Sequence, residues 1–373
     1  MKRLYYVDNL RIFLISLVVL HHLSITYGAP GDWYYNESQP EGLLAILLAM
    51  FVATNQSFFM GLFFLISAYF TEVSFTRKST GTFLADRLRR LGIPLFLYFF
   101  VISPAMIFFL VRRLDGLDIS FLDFYKQGHG FGFGPLWFVE TLLFFTLIYV
   151  IYQKFRDRNR NRTIKHCPLP GDRHVLFLAV LLGMISFLIR IKLPVGWSLP
   201  ILGLQFPHFP QYIALFALGI AASRHNWLEA VTYRRGIRWF LLAQMMIFIM
   251  FPLLFMTGGA ASGDITAFMG GLHWQSLAYA IWEQITGLSL VIGLLGIFRD
   301  KFNFRGKWGQ KLSACAYGVF IFHAPLLVLI TVFLRNVELH GVLKLLLLAP
   351  VALFASFLVA WLIRKLPYAD RVL

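Results

Sequence analysis

Long apolar runs separated by short polar stretches dominate this chain. Ten such segments occur, and most are long enough to span a bilayer, because about 20 residues rising 1.5 Å each cross a hydrocarbon core of about 30 Å. The pattern therefore predicts an all-α, polytopic membrane bundle of about ten transmembrane helices. The segments are approximately 10–27, 43–70, 91–111, 135–152, 175–191, 211–223, 237–257, 277–298, 312–334 and 342–363.

The sixth segment is the least certain of the ten because it is short. Extending it back to Leu199 crosses three prolines, which predicts an irregular approach. The charge distribution supports a tenth crossing, since cytoplasmic loops carry the excess of Lys and Arg. With ten crossings, both termini are expected in the cytoplasm, and most of the 34 basic residues fall on that side. The outer regions hold only Arg112, Arg113, Lys126, Arg190, Lys192, Arg335 and Lys344.

Composition agrees with a lipid environment. Hydrophobic residues make up 58% of the chain and charged residues 14%, against roughly 25% charged in soluble domains, which excludes an ordinary water-soluble enzyme. The net charge of +16 lies in clusters between apolar segments, so we expect the lipid bilayer and not nucleic acid as the partner. Cys167 and Cys315 form no disulfide framework and no metal-ligand spacing, so no metal is expected.

The first segment carries ionisable side chains, which cost about 2.5 to 3.5 kcal/mol near the bilayer centre. Arg11 and His22 are eleven residues apart, and eleven steps of about 100° return to within about 20° of the starting direction, so both share one helix face about 16 Å apart. His21 points about 80° away from His22, and Asp8 can pair with Arg11. Alternatively, Arg11 snorkels to the inner membrane interface and the histidines are ordinary packing residues. The shared face favours His22 as a proton acceptor and Arg11 as a residue that binds an anionic group.

A second group of candidates lies at the cytoplasmic end of the second segment. Arg87 and Arg90 are one helical turn apart beside the predicted membrane surface. They are suited to the phosphates of a cytoplasmic cofactor, and equally to anionic lipid headgroups that enforce topology.

The stretch Gly130–Glu140 opens the fourth segment. Its glycines allow close approach of a ligand, and Glu140 is an acid inside an apolar helix. Pairing of Glu140 with Arg11 or another basic group is favoured slightly over proton transfer. Glu283 has the same two interpretations, and so does His323, for which ordinary helix packing is a strong alternative.

With these residues in view, the chain resembles the acyltransferase 3 family of integral membrane acyltransferases almost from end to end. Three places carry the resemblance, in the family's order and spacing. They are Asp8-Asn9-Leu10-Arg11 with His22, Phe63-Phe64-Leu65-Ile66-Ser67-Ala68-Tyr69 followed by Arg87 to Pro94, and Leu312-Ser313 through Tyr317-Gly318 to His323.

The resemblance implies transfer of an acyl group, commonly acetyl from acetyl-CoA, to a hydroxyl of an extracytoplasmic or lipid-linked carbohydrate, in a bacterial inner membrane. It implies one transmembrane acyltransferase domain over residues 1–373. Many relatives also carry a soluble extracytoplasmic domain after the membrane part, but we expect none here because only ten residues follow the last apolar segment. The catalytic candidates are His22 as base, Arg11 at the pantetheine arm or thioester oxygen, and Glu140. The donor-binding candidates are Arg87, Arg90, Ser67 and Tyr69.

Two positions depart from the family pattern. Ala68 stands where glycine is usual, which costs close backbone approach, and Pro135 stands where a histidine is often found. Two other functions stay open at this point. One is succinyl transfer to a periplasmic glucan, and the other is a permease that uses Arg11, His22 and Glu140 as a proton or substrate path.

Overall fold

The computed structural model of the protein describes residues 3–156, 167–260 and 264–373, and some of the basic residues between Lys154 and Arg173 lie outside these ranges. The described residues fold into ten long helices joined by loops and short helical turns, with no strand. The helices are α1 (Tyr5–Thr26), α2 (Gly42–Phe75), α3 (Thr80–Leu114), α4 (Trp137–Arg156), α5 (Asp172–Arg190), α6 (Phe209–His225), α7 (Tyr233–Thr257), α8 (Trp274–Lys301), α9 (Lys307–Phe333) and α10 (Gly341–Ile363).

Nine of the helices in the described ranges are long and apolar enough to cross a membrane, and α6, the predicted sixth segment, is not among these nine. It has 17 residues and follows a short 3-10 turn, Phe206–His208, so the predicted irregular approach is confirmed. Gly219 brings α6 close to α2, because a Cβ at this position would lie 2.3 Å from the carbonyl oxygen of Leu65. The all-α, polytopic fold class is thus confirmed.

Two proline-associated interruptions shape α3, which contains π-helical turns at Leu88–Gly92 and Tyr98–Ile102. Pro94 has no N–H to donate to the carbonyl four residues earlier, that of Arg90. The hydroxyl of Tyr317 on α9 donates to this carbonyl instead, at 2.7 Å. The backbone that carries Arg90 is therefore fixed to the penultimate helix.

Two basic residues that the charge count assigned to the outer regions are buried in the structure. The side chain of Arg190 is fully buried and pairs with Glu283 at 2.5 Å. The side chain of Lys344 is 5% exposed and pairs with Glu37, which joins the α1–α2 loop to α10. Each cation pairs with a carboxylate from a distant segment, and a count of charges in the loops does not detect such a pair.

Candidate active site

One end of the bundle contains a cavity of about 800 Å³ with a strongly basic lining. It forms where α1 begins, α2 ends and α3 begins, and we call it the basic cavity. Four of the predicted site residues, Arg11, Ser67, Arg87 and Arg90, line it together. The rest of its lining is Phe70, Val73, Ser74, Arg77, Lys78, Asp86, Arg89, Asp370 and Arg371.

The charges of the basic cavity favour an anion. Seven basic side chains face two acidic ones in its lining, and one of those acids, Asp86, is already paired with Lys78 at 2.5 Å. The sequence analysis selected three of these cations and missed Arg77, Lys78, Arg89 and Arg371. A count of basic residues before and around Arg87 would have found the first three, whereas Arg371 comes from the far end of the chain.

Arg11 is held at the wall of the basic cavity by two contacts. Its guanidinium carbon lies 4.7 Å from the ring centroid of Phe70, and one nitrogen is 3.8 Å from the carboxylate of Asp8, as the spacing predicts. Its side chain remains 33% exposed, so part of the guanidinium is available to a ligand.

Tyr69 does not line the basic cavity. Its side chain is fully buried in the core, and its hydroxyl has no hydrogen-bond partner among the described residues. Ser67 lies two residues earlier on α2 and does reach the cavity. The spacing explains the difference, because two residues on a helix point about 200° apart.

A histidine cluster lies further along α1, about 16 Å from Arg11 by helical rise. The ring of His22 is nearly parallel to that of Trp33, with centroids 4.0 Å apart and an 18° angle between the planes. The ring of His323 on α9 lies 5.2 Å from His22 and 6.3 Å from Trp33. His21 meets His22 edge-on at 5.3 Å and packs against Phe59, so its ring points toward α2.

His323 has a defined tautomer. Its Nδ1 is 2.8 Å from the carbonyl oxygen of Phe320, and a carbonyl oxygen can only accept, so this nitrogen carries the hydrogen. In the neutral ring the lone pair is then on Nε2, which is buried and has no partner among the described residues. The proximity of His323 to His22 makes it a member of the candidate site, which the packing interpretation of its helix had obscured.

Trp33 belongs to the loop between α1 and α2, and the sequence analysis did not select it. This loop is fixed at several points. The amide N–H of Glu37 donates to the Thr26 carbonyl at 2.7 Å, and the Glu37 carboxylate pairs with Lys344. Helical periodicity gives no information about a loop side chain, so no sequence signal placed Trp33 against His22.

The same loop fills the space beside the glycine-rich stretch. The hydroxyl of Tyr34 lies 3.5 Å from that of Tyr98, and a Cβ on Gly134 would fall 2.0 Å from the Tyr34 hydroxyl. Burial raises the pKa of Tyr34 to about 12, so this hydroxyl stays protonated at neutral pH. Gly134, with φ +46°, therefore makes room for Tyr34 of the protein itself.

The two glutamates of ambiguous role differ in their surroundings. Glu283 pairs with Arg190 and lies 3.2 Å from Nδ1 of His208, so its role is structural pairing. Glu140 is 4% exposed, and its Oε2 is buried without a partner. Within the described ranges neither Arg11 nor any other cation forms an ion pair with Glu140, so the favoured pairing interpretation is wrong for this residue.

Comparison with known proteins agrees with this architecture. Residues 4–365 match the family described as an acyltransferase domain. Two similar relatives are the glucans biosynthesis protein C of Escherichia coli strain SMS-3-5 / SECEC and that of Escherichia coli O9:H4 strain HS. Each is 24% identical over 337 residues, which cover 87% of this chain and 82% of the relative. No solved structure matches the chain. Because the family match covers nearly the whole sequence, the chain belongs to the acyltransferase 3 family and is a membrane acyltransferase.

Proposed function

We propose that the protein transfers an acetyl group from cytoplasmic acetyl-CoA to a hydroxyl of an extracytoplasmic or lipid-linked carbohydrate. The observation that carries this proposal is the basic cavity, where Arg11, Arg87 and Arg90 meet at the end of the helix that also holds His22. Coenzyme A carries several phosphate charges at one end and its thioester at the other. Arginine is suited to phosphate because its guanidinium makes bidentate, charge-assisted hydrogen bonds.

The donor would therefore lie along α1. Its phosphates bind in the basic cavity, and its pantetheine arm follows the helix over the approximately 16 Å of rise between Arg11 and His22. Ser67 and Arg11 line the part of the cavity from which this arm would leave. The cavity end of the bundle is then the cytoplasmic end, and both chain termini lie in the cytoplasm of a bacterial cell with an inner membrane.

The histidine cluster supplies the base. The acceptor oxygen attacks the carbonyl carbon of the thioester while His22 removes the hydroxyl proton, and the carbonyl electron pair moves onto oxygen. Collapse of this intermediate breaks the carbon–sulfur bond, and the leaving thiolate takes the proton from His22. General base catalysis contributes roughly 100- to 10,000-fold to such steps.

The names of the relatives favour a glucan as the carbohydrate acceptor. A glucan is rich in hydroxyls, so the same chemistry applies without change. Succinyl-CoA is the alternative donor, because a glucan can receive a succinyl group at the same hydroxyl.

Release of free coenzyme A by the purified protein tests the proposal. Acetyl-CoA and succinyl-CoA should each be offered with a glucan and without an acceptor, and product acylation should be followed by mass spectrometry. We expect glucan-dependent thiol release with acetyl-CoA. Movement of a solute across vesicles with no thiol release from either donor would instead indicate a permease.

A further inference from the structure

The proposed reaction needs a hydrogen-bond donor at the carbonyl oxygen of the thioester. As the acceptor attacks, negative charge develops on the carbonyl oxygen of the thioester, and acyl-transfer enzymes place an N–H or O–H donor at that position. The sequence analysis assigned Arg11 to the pantetheine arm or to the thioester oxygen. It contacts Asp8 and Phe70 in the basic cavity, about 16 Å of helical rise from His22, so it does not reach a carbonyl that lies beside His22.

Buried polar atoms without partners identify where the donor is. Four such atoms lie in the histidine cluster: Nδ1 of His21, Nδ1 of His22, Nε2 of His323 and Nε1 of Trp33. A buried polar atom without a hydrogen bond is unfavourable, so four such atoms on rings that contact one another indicate a place where a polar ligand binds.

The chemistry of these four atoms separates their roles. An indole nitrogen can only donate, and Nε2 of His323 can only accept in the tautomer that Phe320 sets. The histidine nitrogens on α1 can do either, depending on tautomer. Trp33 Nε1 is thus the one obligate donor among the four.

Trp33 is also well placed and fixed. Its ring lies 4.0 Å from that of His22, the proposed base, so a carbonyl attacked beside His22 lies close to the indole. After Trp33 in the chain, the loop is held by Glu37, whose amide N–H donates to the Thr26 carbonyl and whose carboxylate pairs with Lys344. A donor that is fixed before the reaction needs no reorganisation when charge develops, which is the condition for electrostatic stabilisation.

We infer that Trp33 is a further catalytic residue, whose indole N–H donates a hydrogen bond to the acyl carbonyl oxygen as it becomes an oxyanion. This inference rests on the proposed acyl transfer. In the step, the acceptor O–H bond breaks and its proton passes to His22, the carbon–oxygen bond forms, and the carbonyl pair moves onto the oxygen that Trp33 binds. The carbon–sulfur bond then breaks, the carbonyl re-forms, and the thiolate takes the proton from His22.

Two replacements of Trp33 test the role of the N–H. Trp33→Phe removes the N–H and part of the ring, whereas 3-benzothienylalanine, introduced by an expanded genetic code, keeps the bicyclic shape and stacking and replaces the N–H with sulfur. Loss of one oxyanion donor lowers kcat by about 100- to 1,000-fold. We expect a loss of that size for both variants, with the dissociation constant for acetyl-CoA unchanged. Trp197→Phe is the matched control, because Trp197 also lies in a loop and stacks on an aromatic ring, Phe206, and it should keep wild-type turnover.

The outcomes are distinguishable. A benzothienylalanine variant with wild-type turnover overturns the inference and leaves Trp33 with a packing role only, whatever Trp33→Phe does. Wild-type protein that releases no coenzyme A from either donor with a glucan acceptor refutes the proposed function itself, before any Trp33 variant is compared.

Discussion

Removing the carboxylate of Glu283 is the sharpest test of how this bundle stabilises its buried charges. Arg190 is 0% exposed, and the Glu283 carboxylate is its one ion-pair partner among the described residues. Glu283→Ala leaves this guanidinium buried and uncompensated, and breaking a buried pair in this way costs about 3 to 5 kcal/mol. The carbonyl oxygen of Pro207, 3.3 Å from a guanidinium nitrogen of Arg190, remains as a hydrogen-bond acceptor, so we expect a cost at the low end of this range, about 3 kcal/mol.

Thermal unfolding of the purified protein in detergent measures this effect. For 373 residues the entropy of unfolding is about 0.8 kcal/mol/K, so a loss of about 3 kcal/mol should lower Tm by about 4 °C. The double variant Arg190→Met with Glu283→Leu should recover most of the loss, because it removes both charges and fills the space with apolar atoms. Glu140→Gln is the matched control, since Glu140 is also buried and forms no ion pair with the residues that the structure describes. Equal melting temperatures for Glu283→Ala and wild type would refute the reasoning about the pair.

Three further outcomes are expected. The double variant Arg87→Ala with Arg90→Ala should raise KM for acetyl-CoA about tenfold or more and change KM for the acceptor less. Replacing both arginines with lysine should raise KM for acetyl-CoA less. Unchanged donor kinetics in the Ala variant would mean that the two arginines act only as topology determinants. His22→Ala should lower the rate of acyl transfer by roughly 100- to 10,000-fold while expression and donor binding persist. His21→Ala should lower this rate less, because the His21 ring packs on Phe59. A larger loss for His21→Ala than for His22→Ala would mean that His22 is not the base. A reporter fused after Leu373 should show cytoplasmic activity, and activity of a periplasmic phosphatase there would contradict the predicted topology.

The long apolar runs were sufficient to predict the fold class, because the hydrogen-bonding requirement on a membrane-spanning segment is local. A spanning segment must satisfy its own backbone hydrogen bonds in lipid, so a long apolar run becomes a helix whatever surrounds it. The shared face of Arg11 and His22 follows from the same helical geometry, and so does the difference between Ser67 at the basic cavity and Tyr69 in the core. The resemblance to a family added the activity and the expected donor, which neither composition nor periodicity supplies.

Which charges find partners was decided by tertiary structure. Glu140 and Glu283 are alike in sequence, each a lone acid in an apolar helix, yet within the described part of the chain only Glu283 pairs with an arginine. Likewise Arg190 and Lys344 look like loop cations until the packing of distant segments buries them against Glu283 and Glu37. The partners come from helices or loops far away in the chain, and their meeting depends on how the bundle packs.

The sequence by itself determined that this protein is a helical membrane bundle with a basic cluster at one end and a histidine on the same helix as Arg11. Only the tertiary structure decided what surrounds that histidine. Trp33 reaches it from a loop and His323 from the penultimate helix, about 300 residues further along the chain. Loop side chains follow no periodicity and helix–helix contacts depend on the packing of the whole bundle, so neither neighbour can be derived from local residue patterns.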